Sequence, residues 1–355
     1  MSFKKFIYSI PFILAAVISL TACDGFVYEK MKECKPSYKV RFVYDMNLKW
    51  ADAFPSEVHS VNLYIFDEKG IFVKDYQEAG EELSQPGFAM DIDLQAGDYT
   101  FVAWCGLENE GITEESFTVT KCVAGETSLD EFICWLNTER NSEFPAFSDS
   151  QLQFLYHGMI NVNIPEPTDN GEYIYTIPLI KDTNHIRIIL QQLSGDDMDS
   201  DDFGFMIEAA NGEMAYDNSL LGNVTVAYMP WDIQEGEAGI GKEDTRGLVY
   251  VDGVIADLSI GRMMASQEND VMLSILNRST GALIAKVPII QYALLSKSYY
   301  ENAYHHSMTD QEFLDREDEY IMTFFLDKDN KWIDSYILIH SWRIVLHSYS
   351  VGGLI

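Results

Sequence analysis

Apolar and polar residues alternate along most of this chain, and a period of two residues predicts β-strands rather than helices. In the stretch YKVRFVYD, Val40, Phe42 and Tyr44 share one face, while Arg41 lies on the other. The stretch VHSVNLYIFDEKGIFVKDY holds two alternating runs around the sequence DEKG at residues 67–70. Because glycine readily adopts a positive φ, this turn sequence is typical of a β-hairpin.

A polar break, NIPEPTDNGE at residues 163–172, divides the strand patterns into two groups. Its two prolines and its Asn-Gly pair indicate a loop or linker. Before the break, AGDYTFVAW alternates like the earlier stretches; after it come YIYTIPLIKD, HIRIILQQL, FGFMIEA, NVTVAYM, VMLSILN and LIAKVPII. Strands at this density predict β-sandwich domains, and we place one over residues 38–165 and a second over residues 166–355.

The stretch SMTDQEFLDREDEY predicts one short helix in the second domain. Thr309 is a candidate N-cap, and Glu312 three residues later completes a capping box. Met308 and Phe313 stand at the two positions of a hydrophobic staple, before the cap and at the fourth helical residue. The sequence therefore predicts a mainly β protein with a single short helix.

The length and the charge of the chain limit the kinds of molecule that it can bind. The chain has 355 residues, of which 47% are hydrophobic, enough to bury the cores of two domains. Its 24 basic and 56 acidic residues give a formal net charge of −32. Such a surface repels phosphate backbones and anionic lipid headgroups, so we expect no nucleic-acid partner. Strong acidity is typical of an extracytoplasmic protein that is kept soluble by its charge.

The first residues resemble a bacterial targeting signal. Two lysines precede an apolar run over residues 6–20, which is shorter than the about 20 residues that a transmembrane helix needs. The run leads into LTAC, which resembles the lipobox of bacterial lipoproteins, where a peptidase cuts before the cysteine and lipid is attached to its sulfur. We predict a signal peptide over residues 1–22, cleavage after Ala22, lipidation of Cys23 and a tether over residues 23–37. The alternative is an ordinary secretory signal with a chance cysteine.

Four further cysteines could form disulfides, which a location in the cell envelope permits. They are Cys34, Cys105, Cys122 and Cys134. Four cysteines allow three pairings, and the sequence does not choose among them. None has C-x-x-C spacing, so zinc binding and thioredoxin-type chemistry are not expected. A buried free thiol is the alternative for each.

An acidic stretch, DDMDSDDFGFMIE, partly imitates the calcium loop of an EF-hand. Asp197, Asp199 and Asp201 alternate, and Glu208 stands at the twelfth position. However, Asp202 occupies the position at which that loop needs glycine, and strand patterns rather than helices flank it. We therefore predict a solvated acidic loop and no metal site.

Other candidate chemistry is weak. His305 and His306 point in different directions in regular structure and have no third ligand at a metal-binding spacing. Six tryptophans could offer platforms for sugars, although a tryptophan in an alternating strand is more often part of the core. They are Trp50, Trp104, Trp135, Trp231, Trp332 and Trp342. Motifs of the nucleophile-elbow, zincin, P-loop and dinucleotide types do not occur, so we predict no enzyme, no catalytic residue and no cofactor.

Several long segments resemble the FimB-type fimbrial anchor subunits of the Bacteroidales. In the first half these are CDGFVYEKMKEC, VRFVYDMNLKWADAFPSEVHSVNLYIFDEKGIFV and LQAGDYTFVAWCGL. In the second half, IPLIKDTNHIRIILQQL, PIIQYALLSKSYYE, MTDQEFLDREDEYIMTFFLDKDNKWI and WRIVL have the family's order and spacing. The resemblance covers most of the chain after residue 22, and its motifs are structural rather than catalytic.

This resemblance implies two transthyretin-like β-sandwich domains in tandem, in an outer-membrane lipoprotein at the base of a fimbrium. The partners it implies are the major fimbrial subunit and accessory fimbrial proteins, and the implied role is to anchor the fimbrium and to limit its length. In this class of pilus, one subunit's C-terminal strand fills a groove on its neighbour. The groove opens when an arginine-specific protease removes the neighbour's first strand.

The residues of this chain suit the anchored end of such a polymer. The first arginine is Arg41, inside the first predicted strand, and a cut there would separate Cys23 from the rest of the chain. We predict an uncleaved first strand, a filled N-terminal groove and partner contacts through the C-terminal tail, at Tyr349, Val351 and Ile355. An ordinary edge strand is the alternative for the tail. For the whole chain, the alternatives are a fimbrial tip adhesin and a surface lipoprotein that binds glycans.

Overall fold

Strands dominate the regular structure, as the alternating patterns predict. The computed structural model describes residues 36–107, 115–166, 171–192, 197–241, 248–339 and 342–346. The protein divides into a large unit of residues 38–166 and 174–355 and a small unit of residues 1–37 and 167–173. In the small unit, the Ser37 amide donates a hydrogen bond of 3.1 Å to the Gly171 carbonyl.

The described residues form strands, four α-helices and four short 3₁₀ turns. The strands are β1 (Ser37–Val43), β2 (Ser60–Asp67), β3 (Phe72–Ala79), β4 (Met90–Ile92), β5 (Gly97–Cys105), β6 (Phe117–Val119), β7 (Ile133–Leu136), β8 (Phe147–Ser148), β9 (Tyr156–Ile164), β10 (Glu172–Pro178), β11 (Ile180–Lys181), β12 (Thr183–Gln192), β13 (Phe203–Ala209), β14 (Glu213–Ala215), β15 (Val226–Tyr228), β16 (Asp232–Gly241), β17 (Leu248–Gly261), β18 (Met272–Asn277), β19 (Leu283–Pro288), β20 (Glu319–Leu326), β21 (Trp332–Ile339) and β22 (Trp342–Leu346). The helices are α1 (Phe54–Glu57), α2 (Ile289–Leu294), α3 (Lys297–Tyr304) and α4 (Asp310–Arg316), and the 3₁₀ turns are Glu81–Ser84, Leu129–Glu131, Ser200–Asp202 and Ala265–Gln267.

These strands form five sheets within the described residues. Two sheets are built chiefly from the first half of the chain, with strand orders β10-β1-β4 and β11-β9-β5-β2-β3. Two larger sheets belong chiefly to the second half, with orders β16-β17-β12-β20-β21-β22 and β19-β18-β13-β15-β8. The fifth sheet, β14-β7-β6, combines strands from both halves. The protein is therefore mainly β, as the sequence predicts.

The predicted hairpin around residues 67–70 is confirmed. Strands β2 and β3 pair antiparallel, with Phe66 opposite Phe72 next to the turn. Gly70 has a φ of 72°, and its amide donates a hydrogen bond of 2.8 Å to the Asp67 carbonyl. The Asp67 carboxylate accepts two further amide bonds within the turn, so one aspartate and one glycine define it.

Strand β2, in the five-stranded sheet of the first half, is buried on both faces. In β2, Leu63 and Ile65 point to one side and Tyr64 and Phe66 to the other, and none is more than 7% exposed. The second face is covered in part by Phe132, whose ring centroid lies 4.6 Å from that of Tyr64. A strand enclosed in this way needs a continuous apolar run rather than strict alternation, and LYIF at residues 63–66 is such a run.

In the second half, β12 is an interior strand of the six-stranded sheet. It pairs antiparallel with β17 from Thr183 to Gln191 and parallel with β20 from His185 to Gln192. Its alternating apolar side chains are completely buried: Ile186, Ile188 and Leu190. Because both edges are paired, β12 contributes an inaccessible core strand on which the rest of this half is built.

Strand pairing crosses the predicted domain boundary in both directions. Strands β10 and β11 follow the polar break, yet they pair with β1 and β9 of the first half. Conversely, β7 and β8 precede the break and pair with β14 and β15. The break itself lies between Ile164, where β9 ends, and Glu172, where β10 begins. The division at residue 165 therefore stays a prediction.

The predicted helix is present as α4. The Thr309 hydroxyl accepts a hydrogen bond of 3.0 Å from the Glu312 amide, which is the N-cap expected from the sequence. Met308 and Phe313 are buried, at 4% and 0% exposure, in the positions of the staple. The strand patterns do not predict α2 and α3. These two helices follow β19. That strand ends at Pro288, and the chain passes directly from it into α2.

Candidate functional site

The first strand, β1, is buried along one face. Tyr38, Val40 and Phe42 are 8%, 0% and 2% exposed, while Arg41 between the last two is exposed. Alternation of this kind turns the apolar face inward and the charged residue outward, as the sequence predicts. Burial of each of these large apolar side chains stabilises the fold by about 2 kcal/mol, so removing β1 from the sheet would be costly.

Both edges of β1 are paired with neighbouring strands. It is the middle strand of the sheet β10-β1-β4, and it pairs antiparallel with β4 from Tyr38 to Val40. Just beyond this pairing, the Val43 carbonyl accepts a hydrogen bond of 2.8 Å from the Leu179 amide. A strand from another subunit could therefore add here only if it displaced β1 itself or one of its two neighbours.

Aromatic contacts hold the end of β1. The ring of Phe42 stacks on that of Phe54 with 5.8 Å between centroids, and Tyr44 meets Tyr156 edge to face at 5.1 Å. Burial raises the pKa of Tyr44 far above its usual value, so its phenol stays neutral. Since Arg41 directly precedes Phe42, a protease could reach it only after these contacts had opened.

The two chain ends that the sequence singles out lie outside the described residues. This applies to Ala22, Cys23, Cys34, Tyr349, Val351 and Ile355. Their predicted roles stay predictions. The last described strand, β22, pairs only with β21 in the order of the six-stranded sheet, so the chain leaves the described region from a sheet edge.

The other predicted cysteines are free thiols in this structure. Cys105 and Cys134 are fully buried, and Cys122 is half-buried. Burial raises the pKa of Cys122 to about 11 and that of both buried thiols further, so all three stay protonated and unreactive at neutral pH. No disulfide joins these three, and the fourth predicted cysteine lies outside the described residues.

The acidic stretch of the second half ends in a strand rather than a metal loop. Asp199 caps the 3₁₀ turn at residues 200–202 by accepting a hydrogen bond of 2.9 Å from the Asp201 amide. Glu208 lies within β13, away from that turn in the sequence. Nowhere in the described ranges do three or more His, Cys, Asp or Glu side chains form a group that could hold a metal ion.

A charge network joins residues that lie far apart in the second half of the chain. Asp182 is 0% exposed and accepts hydrogen bonds from Arg262 at 3.0 Å and from Asn218 at 2.9 Å. The second terminal nitrogen of Arg262 donates to Asp315 of α4, also at 3.0 Å. Burial raises the pKa of Asp182 to about 8, although the attraction of Arg262 opposes that shift. One guanidinium thus binds two carboxyl groups, one fully buried and one half-buried, and burial favours the neutral form of Asp182.

Sequence patterns do not reveal this network. Asp182 follows β11 directly, and its amide donates a hydrogen bond of 2.7 Å to the Leu155 carbonyl. An aspartate after a short strand is typical of an ordinary loop, and the partners of Asp182, Asn218 and Arg262, are 36 and 80 positions away in the sequence. Only the tertiary fold brings the three groups together.

The tryptophans separate into two kinds. Trp104 is 0% exposed and lies in the core, Trp332 is half-buried and packs against that core, and Trp135 and Trp231 are half-buried. Trp50 is 37% exposed and is the exception among the tryptophans whose side chains are described. It lies after β1, in the connection to α1 rather than in a strand.

Comparison with known proteins gives a consistent result. The sequence profile of the family described as fimbrillin-A associated anchor proteins Mfa1 and Mfa2 matches residues 31–348. A curated relative, the minor fimbrium anchoring subunit Mfa2 of Porphyromonas gingivalis, is 21% identical over 354 residues, which cover 99% of this chain and 98% of the relative.

Solved structures agree in fold. A candidate adhesin from Bacteroides thetaiotaomicron is 31% identical, with a TM-score of 0.73 over 89% of this chain and 99% of that chain. The fimbrial anchor protein Mfa2 of Porphyromonas gingivalis has a TM-score of 0.61 and 16% identity, over 89% of this chain and 100% of that chain.

Among the described residues, no helix has both the length and the apolar character needed to cross a membrane.

Proposed function

Because the chain belongs to the family of fimbrillin-A associated anchor proteins Mfa1 and Mfa2, we propose that it is an outer-membrane lipoprotein that holds a fimbrium to the cell. The family predicted from the sequence is thereby confirmed. Its described role is that of an anchor, which is a structural task and not a catalytic one. The partners we propose are the major fimbrial subunit and accessory fimbrial proteins.

The observation that carries this proposal is the position of β1. A stalk subunit of such a polymer must release its first strand to receive a neighbour's strand. Here β1 has both edges paired and its apolar face buried, with Val40 at 0% exposure. A subunit that keeps this strand cannot accept another donor there, which is the property expected of a polymer's terminal subunit.

The remaining parts of the proposal concern the chain ends. Lipid on Cys23 would fix one end to the membrane, because several acyl chains anchor durably where a single chain does not. The C-terminal tail with Tyr349, Val351 and Ile355 would then meet the fimbrium. A subunit that terminates the polymer in this way would also limit fimbrial length.

A second candidate function is that of a fimbrial tip adhesin. It is favoured by the description of the Bacteroides thetaiotaomicron structure as a candidate adhesin, at 31% identity. Deletion of the gene separates the two roles. Loss of an anchor releases long fimbriae into the medium, whereas loss of a tip adhesin leaves attached fimbriae that no longer adhere.

The test of the proposal is Cys23→Ala, with Cys34→Ala as the matched control because both cysteines precede the described region. Cells are labelled with a radioactive fatty acid, and fimbriae are counted on cells and in the medium. Cys23→Ala is expected to abolish labelling and to shift fimbriae into the medium, and Cys34→Ala to change neither. Unchanged labelling or unchanged attachment in Cys23→Ala would overturn the anchor proposal.

A further inference from the structure

Three exposed rings meet at one place on the surface, and we call them the aromatic platform: Trp50, Tyr304 and His306. Their exposed fractions are 37%, 43% and 46%, the last for the side chain alone. The ring centroid of Trp50 lies 6.3 Å from that of Tyr304, at an angle of 55°, and 4.6 Å from that of His306. The proposed anchoring role makes no use of this platform.

One face of Trp50 is already occupied. The guanidinium carbon of Arg316 lies 3.7 Å from the ring centroid, which is a close cation–π contact. Arg316 is itself 9% exposed and donates hydrogen bonds to the carbonyls of Asp45 at 3.1 Å and Asn47 at 3.3 Å. The indole of Trp50 is therefore held on one face by Arg316, and it contacts His306 edge to face as well.

The backbone on both sides of the platform has a left-handed conformation. Trp50 has a φ of 53°, and His305, between Tyr304 and His306, has a φ of 54°. This region is unfavourable for bulky residues and costs about 1 kcal/mol or more at each position. The fold therefore keeps two strained non-glycine residues where the rings converge.

The charges around the aromatic platform limit which ligands fit its exposed surface. A cation would be repelled by the guanidinium on the opposite face of the same ring. An anion would be repelled by Glu312, whose carboxylate lies 3.4 Å from His306, and by the net charge of −32. What remains is a neutral ligand whose weakly positive C–H groups can lie against the negative π face.

The residues that flank the aromatic platform in the sequence are polar rather than apolar. Exposed neighbours in the sequence are Lys49 and Asp52 on one side, and His305 and Ser307 on the other. Stacking rings bordered by hydrogen-bonding groups suit a sugar, which has an apolar ring face and a hydroxyl rim. We infer that the aromatic platform is a binding site for neutral hexose or N-acetylhexosamine units of a glycan.

The test uses the full-length protein, purified in a detergent without a sugar headgroup. Maltohexaose, mannohexaose and chitohexaose are the probes, and binding is measured by saturation-transfer NMR and tryptophan fluorescence. The decisive variant is Trp50→Asn, because asparagine tolerates the left-handed conformation and so removes the ring without adding strain. At least one probe is expected to bind, and Trp50→Asn is expected to raise its Kd roughly tenfold.

The matched control is Phe154→Ala. Phe154 is 50% exposed and also has a cation on its ring, Lys181 at 3.6 Å, but no second exposed ring contacts it among the described residues. This change is expected to leave the Kd within about twofold. Tyr304→Ala provides a second loss variant should Trp50→Asn misfold, which thermal unfolding would reveal. Polysaccharide extracted from the producing cells forms a further arm, which separates a ligand of the cell's own envelope from a foreign one.

Three results would overturn the inference. The first is that no probe and no envelope polysaccharide binds at concentrations up to about 10 mM. The second is that the folded Trp50→Asn and Tyr304→Ala variants both bind as tightly as the unchanged protein. The third is that fimbrial subunits lose binding to Trp50→Asn while no sugar binds, because the platform would then be a protein-docking surface.

Discussion

At the scale of single residues, stability depends on two carboxyl groups that bind the same guanidinium, one of them fully buried and the other half-buried. Arg262 lies 3.0 Å from both Asp182 and Asp315. Burial raises the pKa of both carboxyl groups, that of Asp182 to about 8. The second carboxyl oxygen of Asp182 is buried without a hydrogen-bond partner in the described structure, and so is the side-chain oxygen of Asn218. A proton on Asp182 removes the cost of burying that oxygen in charged form.

The direction of the pH dependence follows from the raised pKa. The folded chain keeps a proton on Asp182 that the unfolded chain releases near pH 4, so stability is lost as the pH rises through about 8. His157 acts oppositely, because burial lowers its pKa to about 4; its contribution is present above about pH 6.5 and is lost as the pH falls. Burial raises the pKa of Glu317 to about 7, so this group adds to the loss of stability mainly below pH 7.

Between pH 7 and pH 8, Asp182 therefore dominates among these groups. We expect the free energy of unfolding to fall by about 1 kcal/mol over this interval. Asp182→Asn is expected to remove most of that fall, since an amide has no proton to lose. Urea unfolding at the two pH values measures the effect.

Asp217→Asn is the control for this change. Asp217 has a lowered pKa, chiefly because its carboxylate accepts a hydrogen bond from Ser219, so it is ionised throughout this interval. The free energy of unfolding of the Asp217→Asn variant should therefore show the full pH dependence of the unchanged protein. An equal fall in Asp182→Asn and in the unchanged protein would show that Asp182 is not the titrating group.

At the scale of elements, β1 shows how a strand can be held without covalent bonds. Its residues lie in the order that the sequence predicts, with Val40 and Phe42 inward and Arg41 outward. The sequence does not predict that β1 lies between β4 and β10, because β4 begins only at residue 90 and β10 only at residue 172. Alternation sets which side of a strand is buried, whereas pairing depends on long-range contacts.

The predicted consequence is resistance of Arg41 to proteolysis. A protease that cuts after arginine is expected to leave the bond following Arg41 intact in the folded protein and to cut it after denaturation. Phe42→Ala should make this bond sensitive, because it removes a buried ring at a cost of about 3–5 kcal/mol. Mass spectrometry of the N-terminal fragments reports this site separately from other arginines.

Arg140 is the internal control for that digestion, since it is exposed and follows β7 outside any strand. It should be cut in both the unchanged protein and the variant. Rapid cutting after Arg41 in the folded, unchanged protein would contradict the retained first strand and, with it, the main support for the anchor proposal.

At the scale of the whole molecule, the two halves share both sheets and core. Strands β7 and β8 pair with β14 and β15, across the polar break at residues 163–172. One cluster of buried side chains extends from Tyr64 and Trp104 in the first half to Ile188 and Phe324 in the second. Such shared packing makes the unfolding of one half costly for the other.

We therefore expect the protein to unfold in a single transition. Tryptophan fluorescence, far-ultraviolet circular dichroism and calorimetry should give coincident curves. Met214→Ala, at 1% exposure in β14, should lower stability by about 2–5 kcal/mol and move the whole curve together. Two separated transitions, with only one moved by this change, would instead support two independent domains.

Local patterns determined much of this protein. The strand alternation of YKVRFVYD, the Asp67–Gly70 turn and the Thr309 cap depend on residues within a few positions of one another, and each is found in the structure. The sequence patterns did not predict helix α2 because LIAKVPII continues the apolar spacing of a strand beyond Pro288. Tertiary structure alone decided the exchange of strands across the polar break, the sharing of Arg262 between two carboxyl groups, and the exposure of Trp50 beside Tyr304. These features join residues far apart in the chain, and only the closing of long loops in the folded state brings them into contact.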